Sequence, residues 1–206
     1  MCYFIDNKKV IEDVEDNLHN EYNDYLSSFV NALNYPVVPI ITNKSDNKFV
    51  LAKWRFNPNL PDDSKCRTIG LNIDSEKAFS TRMFKEYTFQ HCIIPINAFF
   101  EWKHFDNHKI KVKHRITFDK ENVFYLAGLW RYYDENKVSF GVLTTIANLL
   151  MSDIHNSKRR MPISLAKSDA YKYLEAETLY DFQFPQYNPN LVAENIEPFK
   201  LPNTLF

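Results

Sequence analysis

Lys109-Ile110-Lys111-Val112-Lys113-His114-Arg115-Ile116-Thr117-Phe118 is the stretch that decides the fold. Ile110, Val112, Ile116 and Phe118 alternate with Lys109, Lys111, Lys113, Arg115 and Thr117. A period of two is that of a strand with one face on a core, and the other face here is a cationic stripe. Shorter runs on either side read the same way. Strands are predicted over 37–42, 49–56, 92–96, 123–130 and 138–145, with polar turns at 43–48 and 134–137. Ile11, Val14, Leu18, Tyr22, Leu26, Phe29 and Leu33 recur at helical spacing, predicting an amphipathic helix over 10–33 that ends before Pro36. Further helices are expected over 81–88 and 168–179. From Phe182 the prolines at 185, 189, 198 and 202 suggest an extended wrap. The expected fold is a single α+β domain spanning 1–206, with a mostly antiparallel, barrel-like sheet flanked by helices.

With 206 residues, 45% of them hydrophobic and 16% aromatic, the chain has the means to bury a large core. No stretch approaches the ~18 apolar residues of a membrane span, and Met1 to Asn17 lacks a signal-type apolar run. Cys2, Cys66 and Cys92 form no CxxC pair, which fits a reduced, intracellular protein of the cytoplasm. A monomer is expected. The three glycines, Gly70, Gly128 and Gly141, leave no phosphate-cradling loop, so a nucleotide cofactor is not expected. No HExxH or Cys/His cluster points to a metal. Net charge is −1, but its distribution is uneven. Acids crowd 11–25, while Lys109 to Arg115 and Lys158-Arg159-Arg160 are basic. That asymmetry allows a local anion site or simply two solvated faces.

Cys2 follows Met1 directly. Removing the methionine would leave a thiol and an α-amine on one residue, a 1,2-aminothiol. Such a group attacks an aldehyde through the amine and closes to a thiazolidine through sulfur. The reference pKa values, roughly 8 for the amine and about 8.5 for the thiol, keep both nucleophiles near neutrality. Equally, a cysteine can fall at position 2 as a small buried hydrophobe. Three other residues stand in chemically suggestive settings. Asn72 lies in Gly70-Leu71-Asn72-Ile73-Asp74-Ser75-Glu76, and Glu101 is flanked by Phe99, Phe100 and Trp102, an apolar setting that raises a carboxyl pKa. His155 comes shortly before Arg160-Met161-Pro162. Singly, each also reads as a turn residue, a salt-bridge partner and a structural histidine.

In order, these segments resemble the SRAP family (SOS response-associated peptidase-like proteins), from Cys2 to about Leu165. Met1-Cys2 is the start; Trp54-Arg55-Phe56-Asn57-Pro58 resembles W-G-L-I-P, and Asn72 to Glu76 resembles N-A-R-S-E. Cys92-Ile93-Ile94-Pro95 leads to Phe99-Phe100-Glu101-Trp102 as C-L-I-P leads to F-Y-E-W. Ala127 to Trp130, Thr144 to Asn148, His155 and Arg160-Met161-Pro162 follow. Departures cluster among the charges. Tyr3-Phe4 replaces Gly-Arg, Asp74 stands at the arginine of N-A-R-S-E, Arg55 replaces a glycine, and Lys158-Arg159 is added.

The resemblance implies covalent capture of abasic sites in single-stranded DNA, without cofactor. It implies that the Cys2 amine attacks C1′ and the thiol closes the thiazolidine. Asn72 would orient the amine, Glu101 would shuttle protons, and His155 would protonate the sugar oxygen as the ring opens. It also implies self-removal of Met1. Arg82, Lys158 and Arg160 are the expected phosphate contacts and Trp102 the stacking surface. Two other classes start from the same residues: an N-terminal-nucleophile amidohydrolase acting through Cys2, and a non-catalytic single-stranded DNA-binding module.

Overall fold

The computed structural model describes residues 2–10, 21–105 and 110–197. In chain order the strands are β1 (Phe4–Asp6), β2 (Val30–Asn31), β3 (Val37–Thr42), β4 (Phe49–Trp54), β5 (Asn72–Asp74), β6 (His91–Ile96) and β7 (Ala98–Phe105). Then come β8 (Ile110–Phe118), β9 (Phe124–Asp134), β10 (Lys137–Ile146), β11 (Arg160–Pro162), β12 (Ser164–Leu165) and β13 (Leu191–Asn195). The helices are α1 (Leu149–Ile154) and α2 (Lys167–Glu175).

β10, β4, β3, β6 and β9 pair in a closed circuit, because β9 returns to pair with β10. Every join is antiparallel except the parallel one between β4 and β10. β11 and β12 extend this barrel, and β5 adds to β10 where β4 leaves off. A second sheet, in the order β13-β8-β7-β1-β2, is antiparallel throughout. The expected α+β domain with a barrel-like sheet is thus what the chain forms.

Only Asn97 separates β6 of the barrel from β7 of the second sheet. Its backbone N–H bonds to Asp6, its side-chain oxygen accepts from Lys9, and its Nδ2 donates to the Asn122 carbonyl. A corner satisfied on all sides lets the chain change sheets without orphaned polar groups.

On β8 the core face is as expected: Val112, Ile116 and Phe118 are buried. Burying each such side chain stabilises by about 1.5–3 kcal/mol, whereas an exposed ion pair is worth about 0–1 kcal/mol. The apolar face therefore sets the register. The opposite face is less solvated than its charges suggest. Lys111 is exposed, but Lys113 and Arg115 are half-buried, and Arg115 pairs with Asp6 at 3.2 Å. Lys109 lies outside the described residues.

The helix expected over 10–33 does not form where the chain is described. Residues 23–25 make a 3-10 turn, β2 pairs with β1, and 32–34 make another 3-10 turn. Ala32 donates its N–H to the Tyr3 carbonyl, so the segment is spent on the second sheet. Residues 11–20 lie outside the described ones. The helix expected over 81–88 shrinks to a 3-10 turn at Lys85–Tyr87. α2 occupies a shorter span than 168–179 and buries Ala170, Tyr173 and Leu174 against the barrel, where the Tyr173 hydroxyl donates to the Gly128 carbonyl at 2.8 Å. The expected wrap includes a strand, since β13 pairs along β8; residues 198–206 lie outside the described ones.

Candidate active site

The glycines excluded a phosphate loop; what they do instead is seat Asn72. A Cβ on Gly141 would lie 2.6 Å from the Gly70 carbonyl oxygen, a distance no side chain tolerates. Gly70 itself has φ +78, a conformation that glycine alone adopts at no steric cost. Close approach here lets segment 70–74 dock beside β10. Trp54 then locks it, its indole N–H donating to the Leu71 carbonyl at 2.9 Å.

Asn72, so held, donates from Nδ2 to the Cys2 carbonyl at 2.9 Å. Its Oδ1 is buried and takes no hydrogen bond from the described residues. Asn72 thus grips the residue that carries the thiol and keeps one acceptor in hand. The expected grip was on the amine of Cys2; the observed contact is to its carbonyl. Cys2 is fully buried, and burial, then the charge of Glu101, push its thiol well above the ordinary range.

Beside it lies a cavity of about 420 Å³. Tyr3, Phe4, Glu101, Trp102, His104 and His155 line it, and the exposed Lys111 and Lys158 complete its wall. Glu101 comes from the middle of β7, and burial pushes its carboxyl up to about 7 against the opposing N–H of Trp102. A carboxyl so poised exchanges protons readily at neutral pH.

His155 is delivered by α1. Asn148 caps that helix, accepting from the Met151 N–H at 3.0 Å. Lys103 of β7 holds its far end through both oxygens of Asp153 at 2.6 Å. The His155 Nδ1 is 2.7 Å from the Arg160 carbonyl, which can only accept, so Nδ1 carries the proton and Nε2 is the basic nitrogen. Burial chiefly lowers its pKa to about 4. This histidine is neutral at rest, so to protonate a sugar oxygen it would first take up a proton.

The expected phosphate contacts fare unequally. Lys158 is exposed at the cavity and Trp102 is half-buried in its wall. Arg82 is exposed but does not line the cavity. Arg160 is engaged internally. Its Nη2 donates to Asp74 at 3.0 Å, Glu76 at 2.7 Å and the Thr144 carbonyl at 2.7 Å. Asp74, at the position of the family's arginine, is therefore one of two carboxylates that engage Arg160 within the protein. Burial opposes ionisation of Glu76, but the interactions with Asp74, the Arg160 guanidinium and the Thr145 hydroxyl outweigh it and hold its pKa at about 2. Arg55 is also turned inward, buried and donating to the Pro61 carbonyl at 2.8 Å.

Tyr3, Phe4 and His104 in the wall were not among the expected site residues, and Lys111 there and Lys113 beside it were expected only as part of a basic stripe. Alternation along β8 is the signal that points to Lys111 and Lys113. Among the described residues no group of three or more His, Cys, Asp or Glu could hold a metal. No described helix is long and apolar enough to cross a membrane.

A closed barrel with a second sheet thus buries a cysteine at position 2 beside a cavity that Glu101 and His155 line. Residues 1–196 match the family described as SOS response associated peptidase (SRAP), and the chain belongs to that family. It is 31% identical over 156 residues to "Abasic site processing protein YoqW" of Bacillus subtilis (strain 168), covering 73% of this chain and 68% of that one. "Abasic site processing protein YoaM" of the same organism is 28% identical over 187 residues, covering 86% and 79%. A crystal structure of a protein from Bacteroides thetaiotaomicron shares the fold, with a TM-score of 0.76 at 24% identity over 95% of this chain and 92% of that one.

Proposed function

We propose that this protein processes abasic sites in single-stranded DNA by capturing them covalently on Cys2 once Met1 is gone. The observation that carries this reading is that Glu101 and His155 line one small cavity while Cys2, gripped by Asn72 and close enough to feel the charge of Glu101, lies buried beside it. The printed names of the Bacillus relatives point the same way.

An abasic deoxyribose is mostly a closed hemiacetal, and only its open form is an aldehyde. Nε2 of His155, basic at rest, takes the proton from the C1′ hydroxyl and returns it to the ring oxygen as the C1′–O bond breaks. The Cys2 amine adds to the aldehyde carbon and passes one proton to its oxygen; Glu101 in its acid form then protonates the departing hydroxyl and takes back the second nitrogen proton, so that water leaves and an imine remains. The thiol, kept protonated by burial, is no rival nucleophile at this stage. It then adds across the C=N bond, its proton passing through Glu101 to nitrogen, and the thiazolidine closes. Asn72 holds Cys2 by its carbonyl throughout and offers Oδ1 to the amine.

Single strands suit the site because C1′ is inaccessible in a stacked duplex. Trp102 offers a flat surface to whichever base flanks the lesion. Met1 must leave first, since an acylated nitrogen cannot form an imine. Cys2 and Glu101 supply the chemistry of that removal as well.

Incubation with an abasic oligonucleotide, followed by denaturing electrophoresis, tests the reading. A heat-stable adduct is expected from the wild type and none from Cys2→Ala, while Cys2→Ser yields only an imine that borohydride must trap. An equal adduct from Cys2→Ala overturns the mechanism. Intact mass should show Met1 absent from reactive protein, and a fully cross-linking preparation that retains it would overturn the requirement. Glutamine hydrolysis without DNA would instead mark an amidohydrolase.

A further inference from the structure

The stripe on β8 continues past the reactive cavity. Lys111 stands in the cavity wall. Two residues on, Lys113 Nζ lies 4.4 Å from the Phe29 ring centre and 4.8 Å from that of Phe100. Phe29 is 42% exposed and stacks on Phe4, with centroids 5.0 Å apart. Arg115 and Thr117, next on the same face, belong to a second and larger cavity of about 670 Å³. Lys8, Lys9 and Lys120 also line it.

Acids share this face. Asp6 is in the second cavity but is paired with Arg115 at 3.2 Å. Glu121 lines it too, and Glu194 of β13 stands opposite Arg115 in register. Arg115 is therefore spent locally. The exposed Lys8, Lys9 and Lys120 supply the surplus of positive charge, on a protein whose net charge is −1. A concentrated positive groove on a chain of near-zero charge draws one kind of ligand, an anion, and an extended one if charge and flat rings alternate along it. From Lys111 to Thr117 the face runs about 20 Å at the rise of a strand, the length of a short run of nucleotides.

We propose that the groove of Lys8, Lys9 and Lys120 is a second subsite for single-stranded DNA. It holds phosphates several nucleotides from the lesion, with Phe29 as a stacking step between the two cavities. This rests on the reading of the first cavity only for the register of the strand. Backbone charge supplies the affinity and stacking tolerates any base, so the subsite is blind to sequence.

The test is binding of undamaged oligo-dT of about 4 and about 12 nucleotides, lengths within the span of known single-strand sites, to the full chain and to a Lys8→Ala/Lys9→Ala/Lys120→Ala variant. Fluorescence anisotropy across a salt series reads affinity, and thermal melting checks the fold. The variant should bind the longer oligonucleotide at least about tenfold more weakly at low salt, with its salt slope reduced by about 2, since each lost contact removes roughly 0.7. Affinity for the shorter one should change little. Equal affinity and equal slope for the longer oligonucleotide in variant and wild type overturn the proposal. If the wild type forms no adduct with abasic DNA yet the variant still loses affinity for oligo-dT, the groove stands and the reading of the first cavity falls.

Discussion

Glu101 and Arg160 are both withdrawn from solvent near the same cavity, and their surroundings make them opposites. Glu101 sits among aromatic neighbours on β7, and burial lifts its carboxyl to about 7. Arg160 sits on β11 between Asp74 and Glu76, with the Thr144 carbonyl completing its hydrogen bonds. Burial of a charge without full compensation moves its pKa and yields a group that trades protons. Burial with compensation yields a rigid joint that ties β5 to β11. Charge near a reactive site is thus no measure of its role; the partners decide.

Substitution breaks that contrast most sharply at Glu101. Glu101→Gln should slow adduct formation by about 10²–10⁴, the usual worth of a positioned proton donor, in single-turnover gels with saturating abasic DNA. In the wild type the rate should fall as pH rises through about 7, as Glu101 loses its proton, and the Gln variant should lack that limb. It should fall again at the acid end, near 4, as His155 gains one. Stability carries the same signature. The folded pKa of Glu101 lies above its unfolded value, so its contribution is complete below the ordinary carboxylate range and is lost as pH rises through about 7. Glu101→Gln should flatten that part of a plot of Tm against pH.

Arg160→Met should do the reverse, hurting the fold more than the reaction. Two carboxylates lose their shared donor, and the loss of charged hydrogen bonds at a half-buried site costs about 1–3 kcal/mol. At this chain length each kcal/mol is worth about 2–4 °C in Tm. Capture at saturating DNA should persist. An unchanged Tm together with a sharp loss of DNA affinity would return Arg160 to phosphate and dissolve the contrast.

The smallest effect is expected from Lys158 and Arg159, exposed beside His155. Neutralising both should reduce the salt slope on single strands by about 1.4 and leave capture at saturation nearly intact. Affinity untouched at low and high salt would make the pair a solvated loop.

How much of this was legible depended on whether a segment has one wet face or none. β8 and β10 were read closely because one face of β8, and turn residues around β10, punctuate the pattern. β7 was noticed as a motif and not as a strand, since Phe99, Phe100 and Glu101 are all buried and no alternation shows. Residues 22–33 imitate a helix because their apolar groups serve two masters. Tyr22 packs on Phe49 in the cluster that α2 covers, while Phe29 meets Phe100 and Val30 pairs into the second sheet. β13 was masked by the prolines around it, and pairing with β8 rather than local propensity makes it a strand.

By itself the sequence determined the fold class, the family order of its motifs and the identity of the four candidate catalytic residues. The first rests on alternation written into adjacent side chains, and the four residues rest on the resemblance of the ordered motifs to one family, since each alone reads equally well as structural. Tertiary structure alone decided which charges remain available. Asp74 and Arg160 are 86 residues apart in the chain, yet 3.0 Å apart in space. Lys8 and Lys120 are more remote still and share one groove. The protonation of Glu101 and His155 belongs to the same category, because a pKa follows the dielectric and partners that folding brings together. Coulomb energies fall with distance in space and are indifferent to distance along the chain.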